Sequence, residues 1–316
     1  MRREKDTSAL RADAVLIAVT VVWGSAFVVM RYALDTAPPF LLAACRFGLG
    51  ALLLAPALPW RPRSEGIARD GAILGGLLAL GMSLQVSGQA ETTATNAGFL
   101  TGLASVVTPF VAVARTRRLP TIGNAVGILL ASAGFFFLTL PPAGSSFQRG
   151  DLLVAASSVV FAVYAVELAE RAARHDALRL TAIQLAAVAG WTGFLSAVVR
   201  TSVFAGTVPA NLETRPFDVG PFTASVAYLG VACTAGAFLG WTWAQARMSA
   251  IHGAILLALE PVVTYLLAAW LLHERLGPRG IAGGVFVLAG IAVAELRWGG
   301  GRRQAPDSNR GEDAVS

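Results

Sequence analysis

The chain has 316 residues, of which 55% are hydrophobic and only 14% charged, where an ordinary soluble domain carries roughly 25% charged residues. Mean hydropathy is +0.62 and the net charge is +6. These values exclude a soluble enzyme with a single anchor. The basic residues cluster between apolar runs, so the charge reads as membrane topology and not as a nucleic-acid footprint.

In chain order, the opening MRREK has the paired arginines of a twin-arginine signal. The run that follows, 12–34, is long and has no A-x-A cleavage site, so a retained helix is expected. Ten apolar segments are long enough to cross a bilayer, which takes about 20 residues each: 12–34, 38–58, 71–90, 95–114, 121–140, 151–171, 177–199, 221–245, 250–272 and 278–296. With the N-terminus inside, 18 basic residues fall in inside segments and six outside, which is the bias of cytoplasmic loops. The expected protein is therefore an all-α membrane protein with ten transmembrane helices and both termini in the cytoplasm.

The two halves resemble each other. RRLPTIGNAVG (117–127) aligns with ERLGPRGIAGG (274–284), GQAETTATNAG (88–98) with AQARMSAIHGA (244–254), and Asp13 and Asp151 each open the first helix of a half. The reading is a first five-helix repeat over 1–140, a second over 141–298, and a disordered cytoplasmic tail over 299–316. Five spans is an odd number, so the second repeat enters the bilayer in the opposite sense. An inverted repeat of this kind gives transporters a midplane site between the halves.

Polar residues inside the spans mark the candidate path. Arg46 in AACRFGLG and Glu260 in ILLALEPVVTYLLAAW are the deepest charges, each costing about 2.5–3.5 kcal/mol at a helix centre on insertion scales. Facing a cavity they recognise a solute or carry a proton; the alternative is a structural ion pair or a hydrogen-bonded neutral acid. Pro261 removes a backbone donor beside Glu260 and predicts a bend in the ninth helix, and Pro109 is expected to act similarly in the fourth. Gln85 and Gln89 share a face of the third helix with Gly81 and Gly88. Thr101, Ser105 and Thr108 share one of the fourth, and Thr234, Phe238, Trp241 and Gln245 one of the eighth. These columns fit an aqueous cavity or, residue by residue, interhelical hydrogen bonds. Trp23, Phe27, Phe161, Tyr164, Trp191 and Trp241 add aromatic selectivity. The small-residue faces GNAVG and GIAGG are assigned to scaffold packing or to contacts in a homodimer.

The quoted stretches VVWGSAFVVMRYAL, CRFGLGALLL, TNAGFLTGL with its following TP, and ALEPVVTYLLAAWLLHERL resemble EamA-type permeases of the drug/metabolite transporter superfamily, from about residue 12 to 296. The resemblance implies ten helices in an inverted five-plus-five repeat and export of small metabolites, often amino acids, by alternating access. It carries Trp23, Arg46, Pro109, Glu260 and Pro261 onto recurring positions, with Glu274 and Arg275 as a structural loop motif. One departure is that Arg117 stands where the second half has Glu274.

The resulting expectation is a secondary transporter of small organic metabolites in a bacterial inner membrane, with a small-molecule solute and lipid as partners and no nucleic acid. No cofactor or metal is expected: there is no GxxxxGK[ST], and the three histidines and two cysteines show no ligand spacing. The other classes are an intramembrane lipid-modifying enzyme, for which HExxH and GxSxG are missing from the sequence, and a sensor or assembly subunit.

Overall fold

A computed structural model describes residues 2–117, 119–139, 148–200, 218–273 and 277–295. The described residues are helical, connected by short turns. Helix α1 runs Arg2–Thr36, α2 Pro39–Leu54, α3 Ile67–Gln89, α4 Ala94–Thr116, α5 Ile122–Thr139, α6 Arg149–Ala172 and α7 Ala177–Arg200. The eighth segment is α8 (Val219–Tyr228), a π-helical stretch (Leu229–Gly236) and α9 (Ala237–Gln245). The ninth is α10 (Ala250–Leu257) and α11 (Glu260–Leu271), and α12 is Pro278–Glu295. Eight of these segments are long and apolar enough to cross a membrane, and α5 and α12 contribute shorter apolar helices. The expected tail 299–316 and the Glu274–Arg275 motif lie outside the described residues.

Local chemistry sets the helix ends. Pro38 holds an extended backbone (φ −62, ψ 137) and Pro39 starts α2, where its missing N–H costs nothing. Gly66 adopts φ 75 ahead of α3, a left-handed geometry that glycine takes without strain. Thr93 caps α4 by accepting from the Asn96 backbone N–H at 3.1 Å, and Ser249 caps α10 by accepting from that of His252 at 3.2 Å. Gln148 and Asp151 form a capping box at the start of α6.

The packing follows the two-repeat reading. Counting the ten segments in order, the third packs on the sixth, the fourth on the sixth and the third on the seventh. Exchanging the halves turns these pairs into the eighth on the first, the ninth on the first and the eighth on the second, and all three are present. The second packs on the seventh, the fourth on the ninth and the fifth on the tenth, pairs that the exchange leaves unchanged. The small-residue faces serve the last of these. A Cβ on Gly134 would lie 2.6 Å from the Gly283 carbonyl oxygen, and one on Gly290 2.7 Å from that of Gly127. Backbone meets backbone there, so α5 and α12 pack closely at Gly127 and Gly283, while Gly280 and Gly284 face Tyr265 and Val262 of α11.

One end of the bundle is held by ions. Asp70 of α3 accepts from Arg171 Nε of α6 at 3.2 Å and pairs with His175 Nε2 at 2.9 Å, and His175 Nδ1 meets Ser64 Oγ at 2.6 Å. Arg115 of α4 reaches Glu167 and Glu170 of α6 at 3.6 and 3.3 Å.

Candidate functional site

The segments that exchange under the two-repeat pairing line a partly open cavity of about 90 Å3. Its wall draws Trp23, Phe27 and Met30 from α1, Arg46 from α2, Met82, Gln85 and Gln89 from α3, and Thr101, Ser105 and Thr108 from α4. The second half supplies Phe161 from α6, Phe238 and Trp241 from α9, Leu257 from α10 and Glu260 from α11. Trp23 and Phe161 stand at the same spacing from Asp13 and Asp151, so the halves present an aromatic ring from equivalent positions.

Arg46 is 5% exposed. Its Nε donates to Thr234 Oγ1 at 3.1 Å and one terminal nitrogen reaches Met30 Sδ at 3.5 Å. Among the described residues it has no acidic partner, and Glu260 has no basic one. The two charges therefore share one cavity wall without forming the structural ion pair that the sequence left open.

The second half has irregular helical backbone beside both charges. The ninth segment breaks at Ala258–Leu259, and Glu260 begins α11 with Pro261 in its first turn. The Ala258 N–H still bonds to the Ala254 carbonyl at 3.1 Å, and the Leu259 N–H to that of Leu256 at 3.2 Å. Thr264 Oγ1 donates in the same region, with the Glu260 carbonyl at 3.1 Å and the Gly24 carbonyl of α1 at 3.2 Å. The sequence offered no cue for the π-helical stretch in the eighth segment beyond its small residues. An extra residue per turn there turns the Cys233 carbonyl toward the Trp23 indole N–H, 2.9 Å away, and brings Thr234 to Arg46. In the first half α4 stays helical from Ala94 through Pro109 to Thr116, without the interruption seen beside Pro261.

Most of the expected lining residues reach the wall, and several are also bonded between helices. Gln85 Nε2 donates to Thr101 Oγ1 at 3.0 Å and Gln89 Nε2 to the Phe27 carbonyl at 3.2 Å, while Thr108 Oγ1 bonds back to Ala104 at 2.7 Å. Two residues stand behind the wall and are corrected here. Tyr164 is fully buried and donates to Gln184 Oε1 of α7 at 2.6 Å. Gln245 accepts from Trp241 Nε1 at 3.1 Å and donates to the Ser249 carbonyl at 3.2 Å, fixing the ring and not the solute space. Trp241 is further held edge-on to Trp23, with centroids 5.0 Å apart, and packs on Tyr164 at 5.0 Å. Trp191, at 45% exposure, lies on the outer surface. The sequence reading passed over Met30, Leu78, Met82 and Leu257, which line the wall as ordinary apolar residues one or two turns from the polar ones.

Two further contacts tie each half's first helix to the other half. Asp151 of α6 accepts from Thr92 Oγ1 at 2.6 Å and Asn96 Nδ2 at 3.5 Å, at the start of α4. Asp13 of α1 meets His252 Nε2 of α10 at 2.9 Å.

Comparisons with known proteins agree with this architecture. The chain is 29% identical over 293 residues to an uncharacterized transporter of Archaeoglobus fulgidus, covering 91% of this chain and 87% of the relative. It is 28% identical over 310 residues to a protein of Streptantibioticus cattleyicolor named "Probable terminal-alkyne amino-acid exporter", covering 95% and 98%. A solved crystal structure shares the fold with a TM-score of 0.71 at 21% identity, covering 90% of this chain and 96% of the other. The profile of the EamA-like transporter family matches twice, over residues 10–140 and 148–295, one match for each set of helices that the packing exchanges. This chain, a multi-pass membrane protein, belongs to the EamA-like transporter family.

Proposed function

We propose that the protein is a secondary transporter that exports small organic metabolites, amino acids or drug-like compounds among them, across the bacterial inner membrane by alternating access. One observation carries the reading: the cavity is walled by both halves and holds two ionisable side chains of opposite sign, Arg46 buried and Glu260 part-buried, that are not paired with each other. A charge kept at membrane depth without a partner faces water or a solute, since hydrocarbon would expel it. Rocking two inverted five-helix repeats about such a chamber exposes it to one side and then the other. The basic residues clustered on one side support an orientation with both termini in the cytoplasm.

In this reading Glu260 sits where the ninth segment breaks, so its carboxylate moves with that joint. Gln85, Gln89 and Thr101 hold α3, α4 and α1 in register around the solute, and Trp23 and Trp241 supply its apolar wall. The test is efflux of an isotope-labelled amino-acid mixture from liposomes containing only this protein. Wild type empties the vesicles faster than protein-free liposomes, and Glu260→Gln slows efflux by about tenfold or more, equivalent to ~1.4 kcal/mol of barrier, with its thermal unfolding unchanged. Equal efflux from wild-type and protein-free vesicles sinks the transporter reading, and an unchanged Glu260→Gln rate and pH profile removes the acid from it.

A further inference from the structure

Resting on the transporter reading, we infer that Arg46 is the recognition point for a carboxylate, and that the solute is an organic carboxylate with an apolar body. The guanidinium is almost fully buried, yet its observed partners are neutral. Thr234 Oγ1 takes its Nε at 3.1 Å, Met30 Sδ lies 3.5 Å from a terminal nitrogen, the Phe47 ring centroid is 4.9 Å from its central carbon, and the Cys233 thiol, itself buried, is its one titratable neighbour among the described residues. None of these neutralises it. A structural arginine at this depth pairs with an acid, whereas this one is held by its inner edge and lines an open chamber.

The way it is held also fits the chemistry. Thr234 belongs to the π-helical stretch, so the irregular turn places the hydroxyl that fixes Nε. With Nε anchored, the terminal nitrogens remain to bond a planar two-oxygen group. The surroundings specify the rest of the molecule: Met30, Trp23 and Phe238 line the same wall, and Trp23 and Phe238 pack with centroids 5.1 Å apart. An ammonium group placed there would meet the arginine's own charge, and a carboxamide would leave that charge uncompensated.

The test is calorimetric titration of the purified full-length protein with three probes that share one body: 3-phenylpropanoate, 3-phenylpropanamide and 3-phenylpropylamine. The carboxylate binds at least about tenfold more tightly than the amide or the amine, the scale of a hydrogen bond to a charged group. Arg46→Gln makes the carboxylate and the amide equal. Arg46→Lys keeps a reduced preference, and Thr234→Val, which leaves the charge and the volume in place, weakens the carboxylate several-fold. Equal binding of the three probes, preference for the amine, no carboxylate binding up to millimolar concentration, or a preference that survives Arg46→Gln each overturn the inference. Should Arg46→Gln fail to fold, full carboxylate affinity in Thr234→Val and Arg46→Lys does the same. Carboxylate-selective binding without efflux would sink the transporter reading and leave this site standing; efflux without the selectivity would do the reverse.

Discussion

The fourth and ninth segments begin alike and end differently. Each opens on a hydroxyl cap, Thr93 or Ser249, and each is met there by the aspartate of the other half's first helix, Asp151 or Asp13. With Asn96 aligned to His252, as the sequence pairing of 88–98 and 244–254 gives, Ala104 and Ser105 fall opposite Glu260 and Pro261. Helix α4 runs on unbroken, while the ninth segment stops at Ala258–Leu259 and restarts. The scaffold therefore does not require the break. It belongs to the Glu260–Pro261 pair, and the equivalent place in the first half shows what the segment looks like without it. The third and eighth segments repeat the lesson, since α3 is regular and its counterpart carries the π-helical stretch beside Arg46. In the second half the backbone is irregular next to each of the cavity's two charges.

Substitutions that make one segment look like the other test this. The largest effect is expected from Glu260→Ala, which copies Ala104 and lowers efflux by more than about tenfold, whereas Ala104→Ser leaves it within about twofold. Pro261→Ser copies Ser105 and returns a backbone N–H whose acceptor is the Leu257 carbonyl, rejoining α10 to α11. Amide exchange at 258–262 then slows and efflux falls several-fold with no loss of thermal stability; unchanged exchange would mean the proline does not cause the break. For stability, Asp151→Ala removes bonds to Thr92, Asn96 and the Gln148 backbone and costs about 2–3 kcal/mol of unfolding free energy. Asp13→Ala costs about 1 kcal/mol, because its histidine partner is less buried. The caps fall on the same scale as Asp13→Ala: Thr93→Ala and Ser249→Ala each cost about 1 kcal/mol in the same unfolding assay and match one another.

The sequence made the spans legible because a bilayer demands long apolar runs; the expected 95–114 and 250–272 differ from Ala94–Thr116 and Ala250–Leu271 only at their ends. A disturbance of the ninth helix beside Pro261 was legible because proline cannot donate. Pro109 reads the same way in isolation, yet α4 is helical on both sides of it. The π-helical stretch depends on where the Trp23 indole and Arg46 arrive from other helices, so residues 229–236 alone did not announce it. Spacing placed Tyr164 and Gln245 on the right faces. It did not reveal that Gln184 and Trp241 take up their polar atoms and set them one layer back.

The central claim is that solute passes through the chamber between the halves. Ala104 lines it in the first half, opposite the position of Glu260 in the second. In a background with Cys45 and Cys233 replaced, Ala104→Cys protein is reconstituted, treated with a negatively charged thiol reagent, and assayed for efflux of the labelled amino-acid mixture. The account predicts that modification abolishes efflux and that unmodified Ala104→Cys protein retains it; full modification with efflux unchanged would contradict it.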